Sequence, residues 1–257
     1  MIPKTIHYCW FGGNPLPSSA KKCIESWRIY FPDYEIKEWS EQNFDVNIIP
    51  YTRDAYAAGK YAFVSDYARF WVLYHYGGLY FDTDVEVIQG MDDLVKRGAF
   101  MGLEVDNVKS ENSIPAVAPG LGLCVEPGND VYAEILSKFE HLHFYLSDGS
   151  RNPYTMIPMV TELLQEKGLV LRDEQQTVAG ITIYPNEFFN PFDDITGVLR
   201  KTKNTRSIHW YAKTWADNNN PWLVRLKRMA RRIMGTGAIY EAIRNCLASI
   251  RKLVKKY

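Results

Sequence analysis

Asp82 and Asp84, one threonine apart, close the run Gly77-Gly78-Leu79-Tyr80-Phe81-Asp82-Thr83-Asp84. In an extended chain, residues two apart share a face. Two carboxylates would then face together and repel unless a cation lies between them. Carboxylate oxygens suit a hard divalent ion, Mn²⁺ or Mg²⁺, and such an ion keeps positions open that substrate phosphates fill. Taken alone, the pair also reads as an acidic turn after a strand. A second constellation, Asp66 and Arg69, lies i, i+3 in the apolar run YAFVSDYARFWVLYHY (61–76). On a helix that spacing puts both on one face. Burying either charge alone is costly, and burying the pair rarely stabilises. They read as a structural ion pair or as ligands for polar parts of a substrate, with Ser65 beside them. The second reading is favoured because this helix leads straight into Asp82 and Asp84. Glu104 and Asp106 are a third acidic group, either for acceptor hydroxyls or simply a solvated loop.

The elements that must position these groups follow from periodicity. Residues 4–10 read as a first strand and 12–15 (GGNP) as a loop. Residues 18–30 fit a helix capped by Ser18 or Ser19, and 34–39 alternate like a strand. The run 61–76 is too apolar for a surface helix and suits a buried one. Gly77-Gly78 ends it; Leu79-Tyr80-Phe81 begins a strand that Val85 and Val87 continue. Further strands are expected at 99–104, 181–184 and 206–210, and helices at 129–141 and 154–167. Strands alternating with helices predict an α/β fold with a mostly parallel sheet. Ligands of such sheets bind at the carboxyl ends of the strands, where Asp82 lies.

The chain has 257 residues, 46 % apolar, 23 % charged and 14 % aromatic. That length suits one large domain, or one domain plus an appendage. The four cysteines (Cys9, Cys23, Cys124, Cys246) form no CxxC pair, which argues against a zinc site or a disulfide framework and favours a reducing compartment. Met1-Ile2-Pro3-Lys4 lacks the layout of a signal peptide, and no apolar run reaches the ~20 residues of a membrane span. The net charge of zero is a cancellation. Residues 222–257 hold ten Lys/Arg and one acid, a net +9; the rest holds 20 basic and 29 acidic residues, a net −9. Domain boundaries are therefore drawn at 1–221 and 222–257. The tail divides at Gly235-Thr236-Gly237. Its second piece places Ile239, Ile243, Cys246, Leu247, Ile250, Leu253 and Val254 on one helical face. Such a basic amphipathic tail predicts peripheral contact with the anionic cytoplasmic face of a membrane. Packing on the body is an alternative; nucleic acid is not expected, since no motif for it is present.

The segments IPKTIHYCWFGG, YAFVSDYARFWVLYHYGGLYFDTDVEV and IHWYAKTW together closely resemble glycosyltransferase family 32, the enzymes with a DXD sugar-binding region. That group includes bacterial capsule and lipopolysaccharide transferases and yeast Golgi mannosyltransferases, with the large clostridial glucosylating toxins as distant relatives. The resemblance covers most of residues 1–221. It implies a GT-A fold (Rossmann-like, a mostly parallel central sheet flanked by helices) followed by the helical tail. It further implies a nucleotide-sugar donor, UDP-hexose favoured, Mn²⁺ or Mg²⁺, and retention at the anomeric carbon. Trp10, with Tyr8 near it, would stack on the nucleobase. Asp66 and Arg69 would meet donor sugar and diphosphate, with Ser65 and Tyr80 adjacent. Asp82, Asp84 and His209 would hold the metal, and Thr214-Trp215 would close over the diphosphate. Thr214 stands where the family commonly has Ser, and Trp210 where a second His is frequent. The expected activity is hexosyl transfer to a glycan acceptor, lipid-linked, in bacterial surface polysaccharide synthesis. A toxin-like transferase acting on protein and a catalytically dead carbohydrate-binding protein are the alternatives.

Overall fold

The structure is a computed structural model and describes residues 1–105, 113–212 and 221–234. In chain order its elements are β1 (Thr5–Cys9), α1 (Ser18–Tyr30), β2 (Glu35–Trp39), α2 (Pro50–Ala57), α3 (Tyr61–Tyr76), β3 (Gly78–Tyr80), β4 (Val85–Val87), α4 (Asp92–Val95), β5 (Phe100–Glu104), β6 (Ala116–Val117) and β7 (Leu123–Val125). There follow α5 (Asp130–Glu140), α6 (Met156–Glu166), β8 (Gln176–Val178), β9 (Ile181–Tyr184), α7 (Asn186–Phe189), β10 (Phe192–Asp193), β11 (Val198–Leu199), β12 (Ser207–His209) and α8 (Pro221–Met234). The central sheet has the order β2-β1-β3-β7-β5-β9-β8, with β6 on β5. β2, β1, β3, β5 and β9 run one way; β6, β7 and β8 are reversed. This is the mostly parallel, helix-flanked sheet expected of a GT-A fold.

Strand alternation sends side chains to two cores, one on each face. Leu79 and Phe100 join Ile24, Trp27 and Phe189 on the α1 and α7 side. Tyr80 and Met101 join α3, α5 and α6 on the other. α3 is as buried as its composition requires: Val64, Ala68, Phe70, Val72 and Leu73 are fully enclosed. Gly77 stops it at φ 62°, its N–H donating to the Leu73 carbonyl at 2.8 Å.

The second glycine has a different task. Gly78 sits at φ 101°, and a Cβ there would lie 2.5 Å from the Thr5 carbonyl oxygen and 3.3 Å from His7 Nε2. A side chain would push β3 off β1. His7 is the bolt beneath this contact: its ring lies 3.0 Å (Nε2) from the Gly77 carbonyl and accepts from Trp39 Nε1 at 3.1 Å (Nδ1). Those partners fix the neutral Nε2–H form, and burial lowers the His7 pKa from 6.5 to about 4. A lowered pKa means the unfolded chain binds a proton that the native state refuses, so stability falls as pH drops from 6.5 towards 4. His7 alone accounts for a loss of about 3 kcal/mol over that window. Urea unfolding at pH 7 and pH 4.5 should show His7→Gln less acid-sensitive than the wild type by about 2 kcal/mol; equal sensitivity would contradict this role.

Three local expectations are corrected. The N-cap of α1 is Pro17, without a side-chain cap; Ser18 is already helical, and the Pro17 carbonyl accepts from Lys21. Val85 and Val87 do not prolong β3: they form β4, which leaves the central sheet and pairs antiparallel with β12. Asp82 and Asp84 are therefore not alternate residues of one strand. They flank a turn in which Val85 N–H donates to the Asp82 carbonyl at 3.0 Å. The helix α2, which begins with Pro50 at its first turn, and the short strand β7 were not anticipated from periodicity.

Candidate metal and diphosphate centre

The turn at 82–85 and the pairing of β12 with β4 bring together residues more than a hundred positions apart. The register sets His209 opposite Val85. His209 Nε2 then lies 3.1 Å from Asp84 Oδ1, and the ligand atoms of Asp82, Asp84 and His209 all lie within 4.8 Å of one another. The chain after β12 completes the capture of Asp84. Trp210 N–H donates to its main-chain carbonyl at 3.0 Å, and Ala212 N–H donates to its Oδ2 at 2.8 Å.

α3 supplies the other half. Arg69, 4 % exposed, reaches Asp66 Oδ1 at 3.2 Å and Asp82 Oδ1 at 3.1 Å, while its Nε donates to the Ser65 carbonyl at 3.1 Å. The Tyr80 ring lies 5.0 Å from the guanidinium, and its hydroxyl donates to Asp82 Oδ1 at 3.0 Å. Arg69 is thus held on three sides before any ligand arrives.

The charges do not balance. Three carboxylates (Asp66, Asp82, Asp84) face Arg69 and His209. Burial pushes Asp66 up to about 6 against the pull of Arg69, with Asp82 adding to the rise. Burial also raises Asp82, opposed by Arg69 and aided by the charge of Asp84. Asp84 goes the other way: burial acts upward, but the charge and hydrogen bond of His209 and the Ala212 amide hold it low. His209 mirrors this, rising to about 9 because Asp84 outweighs its burial. Its Nδ1 is buried without a hydrogen-bond partner. A proton on His209 supplies the positive charge that Asp84 requires. A divalent cation meets the same need, and two carboxylates with an imidazole form a donor set suited to Mn²⁺ or Mg²⁺. The residues fit such an ion.

The other sequence-predicted residues are placed as follows. Trp10 is half-buried at the end of β1, its indole N–H donating to the Asn14 carbonyl at 2.5 Å. Tyr8 points to the α1 face, edge-on to Trp27 with its hydroxyl on Glu38 at 2.5 Å. The Ser65 hydroxyl turns back to the Tyr61 carbonyl, so this residue serves Arg69 through its backbone. Trp210, where a second His was a family option, donates to Glu86 and packs on Phe192. Glu104 accepts from the Tyr211 hydroxyl at 3.1 Å. Asp106 and Thr214-Trp215 lie outside the described residues.

Two participants were missed. Tyr211, at φ 49°, lays its ring 4.1 Å from that of His209. The Gly120 carbonyl accepts from the Asp82 N–H at 3.2 Å, and a Cβ on Gly120 would stand 2.2 Å from Asp82 Oδ2 and 3.3 Å from Arg69 Nη1. Only the glycine-rich run Pro119-Gly120-Leu121-Gly122 hinted at such a close approach. Gly120→Ala should displace the Asp82 carboxylate and lower any activity that depends on this centre by about a hundredfold, in the range of a misplaced catalytic group. Kinetics of the variant within a factor of three of wild type would contradict this reading of Gly120.

Fold and site together define an α/β protein with two aspartates and a histidine gathered just beyond the end of a parallel strand. The profile of the family described as "Glycosyltransferase sugar-binding region containing DXD motif" matches residues 17–101. That matched stretch holds both the Asp66–Arg69 pair and Asp82 and Asp84. Inositol phosphoceramide mannosyltransferase 1 of Schizosaccharomyces pombe is 27 % identical over 209 residues, 74 % of this chain and 60 % of the relative. Inositol phosphoceramide mannosyltransferase 3 of the same yeast is 32 % identical over 108 residues, 39 % of this chain and 29 % of the relative. The match thus spans less than two thirds of either relative's length. Among solved structures, the PaToxG glycosyltransferase is similar with a TM-score of 0.47 at 17 % identity, covering 65 % of this chain and 70 % of that one.

Proposed function

We propose that the protein is a retaining, cation-dependent hexosyltransferase that moves a sugar from a nucleotide-sugar donor, UDP-linked in our reading, to a glycan acceptor. The observation that carries this is the convergence of Asp82, Asp84 and His209 beside the pre-held Arg69. Asp82, Asp84 and His209 would hold Mn²⁺ or Mg²⁺, which when bound supplies Lewis-acid stabilisation of the leaving diphosphate. The chain's own groups do the rest. Arg69 is a fixed positive charge that need not reorganise as negative charge grows on the diphosphate. Asp66, on the same helix face, is placed to accept from a sugar hydroxyl. Trp10 offers its ring to the base, a contact worth roughly 1–3 kcal/mol. Gly120 keeps Asp82 within reach of Arg69.

On the acceptor side, Glu104 stands next to Tyr211 and His209 at the same mouth. The relatives' names contain a ceramide lipid, which supports a lipid-linked acceptor here. The +9 tail supports work at a membrane face; we place that face in the cytoplasm and the product in bacterial surface polysaccharide. The direct test is release of nucleoside diphosphate from a panel of UDP- and GDP-sugars with and without Mn²⁺. At least one donor should be turned over, and only with the ion. Absence of release from every donor would favour a binding protein instead.

A further inference from the structure

The first stretch of the tail is inverted relative to an ordinary surface helix. α8 touches the body through Arg228 and Arg232. Arg228 pairs with Asp194, its Nε also donating to the Asp194 carbonyl at 3.0 Å, and its guanidinium lies 5.0 Å from the Phe192 ring. Arg232 donates to the Gly197 carbonyl at 2.7 Å. Both seats belong to the β10–β11 hairpin, and Gly197 allows the close approach: a Cβ there would lie 3.1 Å from Arg228 Cδ. At 100° per residue, Leu226 and Met229 lie about 160° and about 100° around the helix from Arg228. They are 41 % and 56 % exposed. In sequence they belong to an apolar series Trp222, Leu226, Met229, Ile233, spaced as one helical stripe. A helix that merely packs on a domain buries such a stripe and solvates its arginines; here Arg228 and Arg232 are spent on the body while Leu226 and Met229 are exposed.

The charge around the stripe identifies what meets it. Arg225 and Lys227 are exposed beside it, and α8 holds no acid. The acids of the hairpin are already used: Asp194 by Arg228, and Asp193 by Thr196, the amides of Ile195 and Thr196, and Arg200. A second copy of this helix, or the equally basic sequence 235–257, would bring like charges together. An anionic surface gains with each Lys and Arg.

We propose that Leu226 and Met229, flanked by Arg225 and Lys227, form the surface on which the protein lies on an anionic lipid bilayer, with the β10–β11 hairpin as a rigid clamp for α8. This deepens the membrane reading of the tail and rests on it, but assigns the contact to particular residues and fixes how the body is tethered. The full-length protein should co-sediment with phosphatidylcholine vesicles containing phosphatidylglycerol and not with pure phosphatidylcholine. L226Q/M229Q should lower that partition about tenfold or more, since two exposed apolar side chains are removed from the bilayer contact. Its melting temperature and its donor turnover in solution should be unchanged, as neither residue touches the metal and diphosphate centre. R225E/K227E should weaken binding further and abolish its salt dependence. If L226Q/M229Q binds like wild type while I250Q/L253Q does not, the contact lies in residues 235–257: this inference falls and the broader membrane reading stands. Absence of vesicle binding by the wild type, with a stripe-dependent dimer or with RNA binding in its place, overturns both.

Discussion

Asp84→Asn should lower cation-dependent sugar transfer by roughly a thousandfold or more, the scale of losing a principal electrostatic group from an active site. The geometry makes this substitution a clean one. Asp84 accepts from the Ala212 amide through one oxygen and faces His209 through the other. Asparagine keeps the acceptor for Ala212 and the size of the side chain, so the turn at 82–85 and the β4–β12 pairing survive. What disappears is the negative charge. With it goes the reason for His209 to be held at a high pKa, and one of two carboxylates that would bind the cation. The expected result is a folded protein with near-wild-type melting behaviour and no Mn²⁺-dependent turnover in steady-state kinetics. Turnover within tenfold of wild type would remove Asp84 from the centre.

Arg69→Met is expected to act on stability first. Arg69 is the charge partner of both Asp66 and Asp82, and it is buried. Methionine fills much of its volume but leaves two carboxylates facing each other with no cation. Breaking a buried pair by removing one partner costs about 3–5 kcal/mol. The pH dependence carries the sign. The folded pKa of Asp66 already lies at about 6, above its ordinary 3.8; without Arg69 it rises further, so the variant's deficit should be largest near pH 8 and shrink towards pH 5 as Asp66 takes up a proton. Urea unfolding at the two pH values measures this. A deficit under 1 kcal/mol at pH 8 would mean that Arg69 does not hold these carboxylates together.

These two substitutions also mark where the sequence was readable. The Asp66–Arg69 pair was visible because it is local: an i, i+3 spacing on a helix whose apolar run and closing glycines gave its limits, Tyr61–Tyr76, without error. The strand leading to Asp82 was equally local. The relation of Asp82 to Asp84 was misread, because a two-residue spacing suits an extended chain and a turn alike, and only the departure of β4 from the central sheet decides between them. His209 could be connected to Asp84 by resemblance but not by spacing, since a pairing across more than a hundred residues leaves no periodic trace. The role of Gly120 was no more than hinted at by its glycine-rich run, for a related reason. Its role is a missing side chain at a place where Asp82 passes, and nothing in a single sequence tells a glycine that admits a neighbour from one that shapes a turn. In the tail, apolar periodicity was legible, but which face of α8 meets the body depends on Asp194 and Gly197, contacts that hydropathy does not register.

Thermal unfolding of the wild-type protein with UDP, in the presence and absence of Mn²⁺, tests the central claim most directly. If Asp82, Asp84, His209 and Arg69 form one cation and diphosphate centre, UDP and Mn²⁺ together at about a hundredfold their dissociation constants should stabilise the native state by about 2.7 kcal/mol. For a chain of this size that is a rise of roughly 5–10 °C, whereas either component alone should give little. The same rise with UDP in the absence of the ion, or no rise with both, would contradict the account.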